Sequence, residues 1–381
     1  MGVDGVTVEQ LAANVQALRA RMKAGQYRHQ PIRRVNIPKE NGAPRPIGVS
    51  TVEDKIVQGA LRDVLEAVYE QDFLDCSYGF RPGRSAHDAV RTLNGVVMRG
   101  HANYIVEADI VSFFDKIDRK ILMEMLRSRI ADERLMRLVG KCLHVGVLDG
   151  TRVLEPSEGT AQGSSLSPLL GNVYLHYVLD VWFEREVRPH LQAGSALVRY
   201  ADDFALCFEH ADDAAYVWSV LEERFKLFGL TLHPKKTRSF AFRPPRQGGE
   251  GGGATFDFLG FTLHWQRTRW GAWRVAFRTR GARLRRAIKA AAEWCRRHRH
   301  RPVEEQHRAL TRKLVGHYNY FGVNGNIRAL KSVRYAVVGA WREWLNRRSQ
   351  RARMTWKRFK ELLRAHPLPV AKIKVQIWTT P

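Results

Sequence analysis

The stretch Arg199-Tyr200-Ala201-Asp202-Asp203-Phe204 lies between two short apolar runs, 196–198 and 204–208. Two such runs on either side of a tight polar step predict a β-hairpin with two adjacent carboxylates at its tip. Neighbouring like charges destabilise each other unless a cation binds them. Mg²⁺ takes oxygen ligands, so the pair predicts a divalent metal site, which requires a third carboxylate from another segment.

A second strand pattern supplies that carboxylate. The run 103–108 is strand-like and ends at Asp109, and a helical pattern begins at Asp118. Carboxylates at the ends of neighbouring strands can bind the two metal ions of phosphoryl or nucleotidyl transfer, one activating the attacking oxygen and the other stabilising the leaving group. Asp-Asp is also common in ordinary turns, so the hairpin alone leaves both interpretations open.

Three blocks in this order resemble the reverse transcriptases of bacterial group II introns. They are Asp109–Asp115 (sequence DIVSFFD), Gly159–Asn172 (GTAQGSSLSPLLGN) and Tyr200–Asp203 (YADD). Further matches lie at 37–39 with 45–48, 78–85, 229–237 and 258–261, so the resemblance covers nearly the whole chain. The block 159–172 departs from the family in having Ala161, where Pro more often precedes the Gln.

The resemblance implies an α+β right-hand polymerase with RNA-directed DNA polymerase activity. We expect fingers with the start of the palm in residues 1–100, the palm in 101–276, and a helical thumb or maturase X-like domain in 277–381. It also implies that most of the family's N-terminal extension, and its endonuclease domain, are missing from this chain.

The resemblance also implies the roles of individual residues. Asp109, Asp202 and Asp203 are expected to be catalytic and, with Ile110, to form a site for two Mg²⁺ ions, with Mn²⁺ as a substitute. Phe113 is expected under the sugar of the incoming nucleotide, where an aromatic ring excludes a 2′-hydroxyl. Core packing is the alternative for Phe113 and for Phe114, and it is favoured more for Phe114.

Three further residues are expected near the incoming nucleotide. Residues 32–50 predict a hairpin around Asn41-Gly42, with Lys39 and Arg45 on facing strands where they could bind a triphosphate. Gln162 offers an amide to the base or sugar. Solvated loop charges are the alternative for the two cations.

Other cations are candidates for nucleic-acid contacts. Arg81 and Arg84 lie in a Gly- and Pro-containing loop before a helix, where they could bind phosphates or serve as structural caps. Lys235 and Lys236 should lie near the Asp-Asp hairpin. A basic run contains Arg296, Arg297, Arg299 and Arg301.

The net charge of +25 indicates a polyanionic partner, and its distribution locates it. Residues 271–381 contain 28 Lys and Arg against 5 Asp and Glu, whereas residues 1–270 contain 35 against 33. A solvated face could explain a short charge run, but an excess this large repels itself without a polyanion. With its interleaved aromatic residues, this part suits RNA or a hybrid duplex.

Composition limits the class of protein. The 381 residues suffice for two or three domains, and 44% apolar content excludes a disordered chain. The four widely spaced cysteines indicate a reducing compartment and core packing rather than zinc or disulfides. No apolar run reaches membrane-spanning length and no secretory signal is visible, so we expect a cytoplasmic protein.

Helical periodicity predicts most of the remaining elements. The expected helices are 8–24 after a capping box at 7–10, 53–70, 86–100, two within 118–148, a long helix from Pro168, 211–229, and helices beyond residue 276. The helix 53–70 is expected to bury one apolar stripe, made of Ile56, Val57, Ala60, Leu61, Val64, Leu65 and Val68. Residues 256–261 are expected to form a strand in which Gly260 lies where a backbone must approach closely, and residues 247–253 are expected to form a flexible connector.

The expected partners are an RNA template, a DNA or RNA primer, dNTPs and a structured intron RNA. Two alternatives remain: a splicing cofactor that mainly binds intron RNA, and a free-standing reverse transcriptase recruited to a host role in defence or CRISPR systems. The DNA around the gene distinguishes them, because only the intron-encoded forms lie inside an intron.

Overall fold

The computed structural model describes residues 2–7, 10, 15–38, 44–100, 102–149, 152–154, 159–160, 163–234, 236–245, 254–349 and 353–378. The chain divides into two compact units, which we call the first unit (residues 1–89 and 100–240) and the second unit (residues 90–99 and 241–381). The domain boundary expected at residue 276 falls inside the second unit, within its last strand.

The elements follow one another closely along the chain. The strands are β1 Ile32–Pro38, β2 Pro44–Val49, β3 Tyr104–Asp109, β4 Val147–Asp149, β5 Arg152–Leu154, β6 Ser195–Tyr200, β7 Asp203–Phe208, β8 Arg238–Ala241, β9 Phe256–Phe258, β10 Phe261–Arg267 and β11 Trp273–Thr279. The helices are α1 Val15–Lys23, α2 Val52–Tyr69, α3 Ala86–Met98, α4 Phe113–Lys116, α5 Arg119–Arg127, α6 Glu133–Leu143, α7 Ser167–Leu175, α8 Ala211–Leu227, α9 Gly281–Arg297, α10 Val303–Phe321, α11 Ile327–Asn346 and α12 Trp356–Ala365.

The predicted hairpin is present and belongs to a four-stranded sheet in the order β6-β7-β3-β8. β6 and β7 pair antiparallel with Tyr200 opposite Asp203, so a two-residue turn of Ala201 and Asp202 connects them. β7 also pairs antiparallel with β3. Every residue of β7 after Asp203 is buried, which explains its uninterrupted apolar sequence: the strand is covered on both faces.

The segment 32–50 contains the other predicted hairpin. β1 and β2 pair antiparallel from Arg33 opposite Val49 to Pro38 opposite Pro44. β4 joins β1 in parallel and pairs with β5, which gives a second four-stranded sheet in the order β2-β1-β4-β5. The expected turn at Asn41-Gly42 lies outside the described residues.

Two predicted helix starts have the expected hydrogen bonds. The Asp88 carboxylate accepts the amide N–H of Ser85 at 2.9 Å, and the Ser85 hydroxyl accepts the amide N–H of Asp88 at 3.3 Å. This reciprocal cap precedes the first turn of α3. Near the N-terminus, Gln10 Oε1 accepts the amide N–H of Thr7 at 2.9 Å. Most of 8–14 lies outside the described residues.

The helix α2 has a narrower buried face than the sequence predicts. Val57, Leu61 and Leu65 recur every four residues and are buried. The residues that precede each of them are rotated by about 100° away from that face. The expected core positions that are instead exposed are Ile56, Ala60 and Val64.

The long helix predicted from Pro168 changes its geometry partway. It is α-helical from Ser167 to Leu175 and continues with π-helical hydrogen bonding through His176–Asp180 and again through Phe183–Val187. A π-helical turn contains more residues than an α-helical one and therefore changes which side chains share a face. Asp180, at the end of the first π-helical segment, is completely buried.

The second unit contains a three-stranded antiparallel sheet in the order β11-β10-β9. Leu259 and Gly260 connect β9 to β10 with φ values of 50° and 80°, as a two-residue hairpin turn requires. The prediction of one continuous strand over 256–261 is therefore wrong. Gly260 serves the turn rather than a close backbone approach, since only ordinary contacts would surround a Cβ there.

Helices complete the second unit. The helical pattern expected beyond residue 276 begins at Gly281, because residues 277–279 complete β11. Trp341 is completely buried among apolar side chains of α9 to α12, with Phe359 and Leu314 in the same cluster. The predicted connector 247–253 lies outside the described residues.

The cysteines and the helix lengths add two findings. All four cysteines are free, and burial raises the pKa of the Cys207 thiol to about 12, so this cysteine has a packing role. Within the described part of the chain, no helix combines the length and the apolarity needed to cross a lipid bilayer.

Candidate nucleotidyl-transfer site

The sheet β6-β7-β3-β8, which we call the central sheet, brings the three predicted catalytic carboxylates together at one end of its strands. Asp109, the last residue of β3, lies directly opposite Asp203, the first residue of β7. Side chains directly opposite on antiparallel strands have Cβ atoms about 5 Å apart. Asp202 precedes Asp203 in the turn. Residues that lie more than 90 positions apart in sequence are thus neighbours in the sheet.

Backbone strain lies close to these carboxylates. Ala201 has φ of 57°, Ser112 48° and Phe80 58°, all in the left-handed region that residues with a Cβ rarely adopt. Ala201 is in the turn itself, and Ser112 lies three residues after Asp109. The centroid of the Phe80 ring lies 6.2 Å from the centroid of the Tyr200 ring. Such conformations persist where surrounding contacts impose them, typically at functional sites.

The segment 231–237 runs beside the end of β3. The amide of His233 donates to the carbonyl of Asp109 at 2.7 Å, and the amide of Val111 donates to the carbonyl of Thr231 at 2.9 Å. This pairing places Lys236 Nζ 2.6 Å from Asp109 Oδ2. The predicted proximity of Lys236 to the carboxylates is therefore present, while Lys235 lies outside the described residues.

The donor set fits a hard divalent cation. Three carboxylates at one sheet edge offer oxygen ligands of the kind that Mg²⁺ binds. In the described residues, however, no group of three or more His, Cys, Asp or Glu side chains is already arranged as a metal-binding cluster. The ammonium group of Lys236 contacts the Asp109 carboxylate.

Phe113 and Phe114 differ in burial, and in the opposite sense to the prediction. Phe113 is 3% exposed and belongs to the core of the first unit, whereas Phe114 is only partly buried against it. The two rings lie 5.1 Å apart, and a Cβ on Gly171 of α7 would come within 3.0 Å of both. Core packing is thus at least one role of Phe113.

The loop before α7 is held against the same region. The amide of Thr160 donates to the carbonyl of Phe114 at 2.7 Å, and the amide of Ser165 donates to Gln58 Oε1 at 3.2 Å. Gly163 has φ of 106°, and a Cβ there would lie 2.4 Å from the carbonyl oxygen of Gly48 in β2. Only glycine fits this approach of the loop to the hairpin.

For three of the residues predicted to contact the nucleotide, the side chain is not among the described parts of the structure. Lys39 and Gln162 lie outside the described residues, and for Arg45 the structure describes the backbone, which pairs opposite Ile37.

Arg81 and Arg84 differ in their surroundings. The Arg81 guanidinium is buried and donates to the Glu70 carboxylate at 2.9 to 3.2 Å and to the carbonyls of Leu74 and Ser77. These contacts support the structural alternative for Arg81 rather than the phosphate contact. Arg84 remains partly exposed, and it donates to the Asp75 carboxylate, which lowers the pKa of Asp75.

The basic run lies at the end of α9 in the second unit. Arg296 and Arg297 are in the last turn and are exposed. Arg299 is half-buried and donates to the carbonyl of Arg296, and Arg301 lies 3.7 Å from the Glu305 carboxylate. Three of the four guanidinium groups are therefore on the surface.

Arg199, in β6 just before the turn, also belongs to this site. Arg199 is completely buried and contacts Ala201 of the turn. An arginine inside an otherwise apolar strand was the signal for it, because buried charges need partners.

One protein family and several known proteins are similar to this chain. The family described as reverse transcriptase (RNA-dependent DNA polymerase) matches residues 37–263. Protein YkfC of Escherichia coli K12 is 36% identical over 310 residues, which is 72% of this chain and 78% of that protein. The group II intron-encoded protein LtrA of Lactococcus lactis subsp. cremoris is 40% identical over 190 residues, 48% of this chain and 31% of LtrA.

A further match is the 91 kDa protein in the cob intron of Schizosaccharomyces pombe, 39% identical over 182 residues, 48% of this chain and 22% of that protein. The chain thus spans less than a third of the length of both intron proteins and more than three quarters of YkfC. It belongs to the reverse transcriptase family of RNA-dependent DNA polymerases, and within that family to the group II intron type.

Proposed function

We propose that the protein copies RNA templates into DNA by two-metal nucleotidyl transfer at Asp109, Asp202 and Asp203, within fingers, palm and a helical thumb. The observation that carries the proposal is the register of the central sheet: Asp109 lies opposite Asp203, with Asp202 in the adjoining turn. Turn chemistry alone would account for Asp202-Asp203 but not for a third carboxylate opposite them.

The metal-binding role falls to four residues. Two Mg²⁺ ions, or Mn²⁺ in their place, would supply the positive charge needed at the primer 3′ oxygen and at the leaving pyrophosphate. The three aspartates would hold them through carboxylate oxygens. Ile110 has only backbone groups to offer, and its bridge with Leu232 uses the carbonyl of Asp109 and the amide of Val111, not the Ile110 carbonyl.

Residues of the β1-β2 hairpin and of the loop before α7 would bind the incoming nucleotide. Lys39 and Arg45 would bind the triphosphate, and the register of Ile37 opposite Arg45 supports the location of Arg45 on the second strand of the β1-β2 hairpin. Gln162 would contact the base or sugar, since Gly163 brings its loop against β2. Phe113 would exclude a 2′-hydroxyl through one edge of its ring.

The second unit would bind RNA electrostatically. Residues 271–381 carry 28 basic against 5 acidic side chains, and Arg296, Arg297 and Arg301 are exposed cations within that part. Lys235, Lys236 and Arg84 would add contacts on the first unit. A structured intron RNA is the proposed natural partner, because LtrA is named as a group II intron-encoded protein.

Primer extension tests the polymerase proposal. The protein is incubated with a DNA primer annealed to an RNA template, Mg²⁺ and the four dNTPs, and in parallel with ribonucleotides. We expect DNA of template length with dNTPs and little product with ribonucleotides. If no extension occurs on RNA while RNA binding is intact, the polymerase proposal fails.

Splicing support is a second candidate role, favoured by the concentration of basic charge in residues 271–381, a part of the sequence that does not contain the three aspartates. If the gene lies inside an intron, that intron's transcript is the test RNA. A variant with Asp203→Asn should still support its splicing, because RNA binding does not need the metal site. A gene with no intron boundaries around it would instead favour a recruited host role.

A further inference from the structure

The guanidinium of Arg199 is completely buried behind the turn that carries Asp202. An arginine side chain has five N–H donors. Nε and Nη2 donate to the two oxygens of Asp180 at 2.7 and 2.5 Å, Nη2 donates to Ser77 Oγ at 2.8 Å, and Nη1 donates to Asn172 Oδ1 at 3.0 Å and to the carbonyl of Ala201 at 3.1 Å. All five donors are therefore used.

The acceptors come from three parts of the first unit. Ser77 precedes the loop 78–85, and Ala201 is in the turn. Asn172 and Asp180 lie on one continuous helix, Asn172 in α7 and Asp180 at the end of the first π-helical segment. In a continuous α-helix, eight residues would rotate Asp180 about 80° beyond Asn172. The wider π-helical turn reduces the rotation per residue, so that both side chains reach the same guanidinium.

The backbone of Arg199 is fixed as well. Its amide donates to the carbonyl of Cys76 and its carbonyl accepts from the amide of Tyr78, both at 2.8 Å. The next residue, Gly79, lies so close to the turn that a Cβ would be 2.5 Å from the amide nitrogen of Ala201. Asn172 Nδ2 donates to the carbonyl of Gly79 at 2.6 Å, which closes the network.

This network accounts for the conformation of the turn. Ala201 has φ of 57°, which an alanine adopts only when its surroundings impose it. The Arg199 hydrogen bond to its carbonyl and the contact with Gly79 are the surrounding contacts. Burial disfavours a charged Arg199, but Asp180 outweighs this and the pKa of the guanidinium is raised, with a smaller contribution from Asp202.

We propose that Arg199, with Asp180 and Asn172 as its acceptors, is a positioning residue that holds the Ala201-Asp202 turn, and with it the Asp202 and Asp203 carboxylates, in register with Asp109. The inference rests on the proposed polymerase function for its kinetic consequence. It does not rest on it for metal binding, which the same carboxylates perform without turnover.

The decisive variant replaces both buried charges, Arg199→Met with Asp180→Leu. Replacing a buried ion pair by apolar residues of similar size is often neutral for stability, so the fold is retained while the hydrogen bonds to Ala201 and Asn172 are lost. We expect kcat of primer extension to fall about 100-fold, because small displacements at a reacting centre cost this much. KM for dNTP and RNA affinity should change less than twofold, and Mn²⁺ affinity should fall at least fivefold.

A milder variant, Ser77→Ala, removes one acceptor and covers the case in which the double variant fails to fold. It should lower kcat about threefold to tenfold and weaken Mn²⁺ binding in the same direction. The matched control is Tyr174→Phe, which removes the buried hydrogen bond from the Tyr174 hydroxyl to the Phe228 carbonyl on the same helix, α7, without touching the turn. It should leave kcat and Mn²⁺ affinity unchanged.

Wild-type kcat and Mn²⁺ affinity in a folded double variant, or in Ser77→Ala, would overturn the positioning role. An inactive wild type would instead contradict the polymerase proposal. Mn²⁺ affinity, measured by electron paramagnetic resonance, would then still decide the role of Arg199.

Discussion

Lys236 and Asp109 form an ion pair in which Lys236 Nζ lies 2.6 Å from a carboxylate oxygen. This ion pair forms because the segment 231–237 is hydrogen-bonded to the end of β3, where Asp109 faces Asp203. The Lys236 ammonium group therefore contacts Asp109, one of the carboxylates that would bind a divalent cation.

This pair predicts a competition between Lys236 and the metal. Both side chains are partly exposed, and exposed ion pairs are worth about 0 to 1 kcal/mol. Lys236→Gln should therefore raise Mn²⁺ affinity about twofold to fivefold in calorimetric titration of the nucleotide-free protein.

Arg238→Gln is the matched control, because Arg238 pairs with Glu107 on the same strand, β3, two residues before Asp109. It should change Mn²⁺ affinity less than Lys236→Gln does. Equal or weaker Mn²⁺ binding by the Lys236 variant would contradict the competition.

The ring of Phe113 provides a test of sugar selection. Phe113→Val should incorporate ribonucleotides at least tenfold more readily than the wild type, because the smaller side chain admits a 2′-hydroxyl. Phe114→Val, a matched change in the adjacent ring, should not. Both variants lose packing, so melting temperature is measured alongside. If Phe113→Val discriminates against ribonucleotides as well as Phe114→Val does, Phe113 has a core role only.

Arg81 and Arg84 should separate stability from RNA binding. Removing one partner of a buried ion pair costs on the order of 3 kcal/mol, so Arg81→Gln should lower the melting temperature clearly and leave the salt dependence of RNA binding unchanged. Arg84→Gln should do the reverse, since its pair with Asp75 is on the surface. A stable Arg81 variant with weakened RNA binding would restore the phosphate contact.

The basic run of the second unit should bind RNA by counterion release. Each phosphate contact contributes roughly −0.7 to −0.9 to the slope of log affinity against log salt. Replacing Arg296, Arg297, Arg299 and Arg301 with Gln should flatten that slope by about 2 to 3 units, the smaller value applying if half-buried Arg299 contributes little. Turnover per bound complex should be unchanged.

The matched control for this run removes four exposed cations of the first unit, Lys120, Arg127, Arg134 and Arg137, by the same change to Gln. It should leave the slope almost unchanged. Equal slopes for both four-site variants would mean that only net charge matters and that the run has no special role.

The sequence predicted the hairpins because their signals are local. The paired apolar runs around Ala201-Asp202 and the strand ending at Asp109 each depend on one short stretch of consecutive residues, and both are present. The predicted buried stripe of α2 is wrong at Ile56, Ala60 and Val64, because the apolar side chains of a helix do not show how much of its surface the neighbouring elements cover. The sequence predicts a strand through Leu259-Gly260, because a two-residue turn leaves so little sequence between β9 and β10.

The role of Arg199 could not be predicted, because it depends on distant partners. Its acceptors lie 122, 27 and 19 residues away at Ser77, Asn172 and Asp180. The π-helical turn that brings the last two together has no local sequence signature. The burial of Phe113 likewise depends on α7, more than 50 residues later.

The most direct measurement is primer extension on an RNA template by Asp203→Asn beside Asp212→Asn, an exposed aspartate in the first turn of α8. The amide removes a ligand charge without changing side-chain shape, so Asp203→Asn should lower extension at least 1000-fold while RNA affinity changes less than twofold. Asp212→Asn should extend primers like the wild type. Near-normal extension by Asp203→Asn in Mg²⁺ would contradict the assignment of the catalytic site.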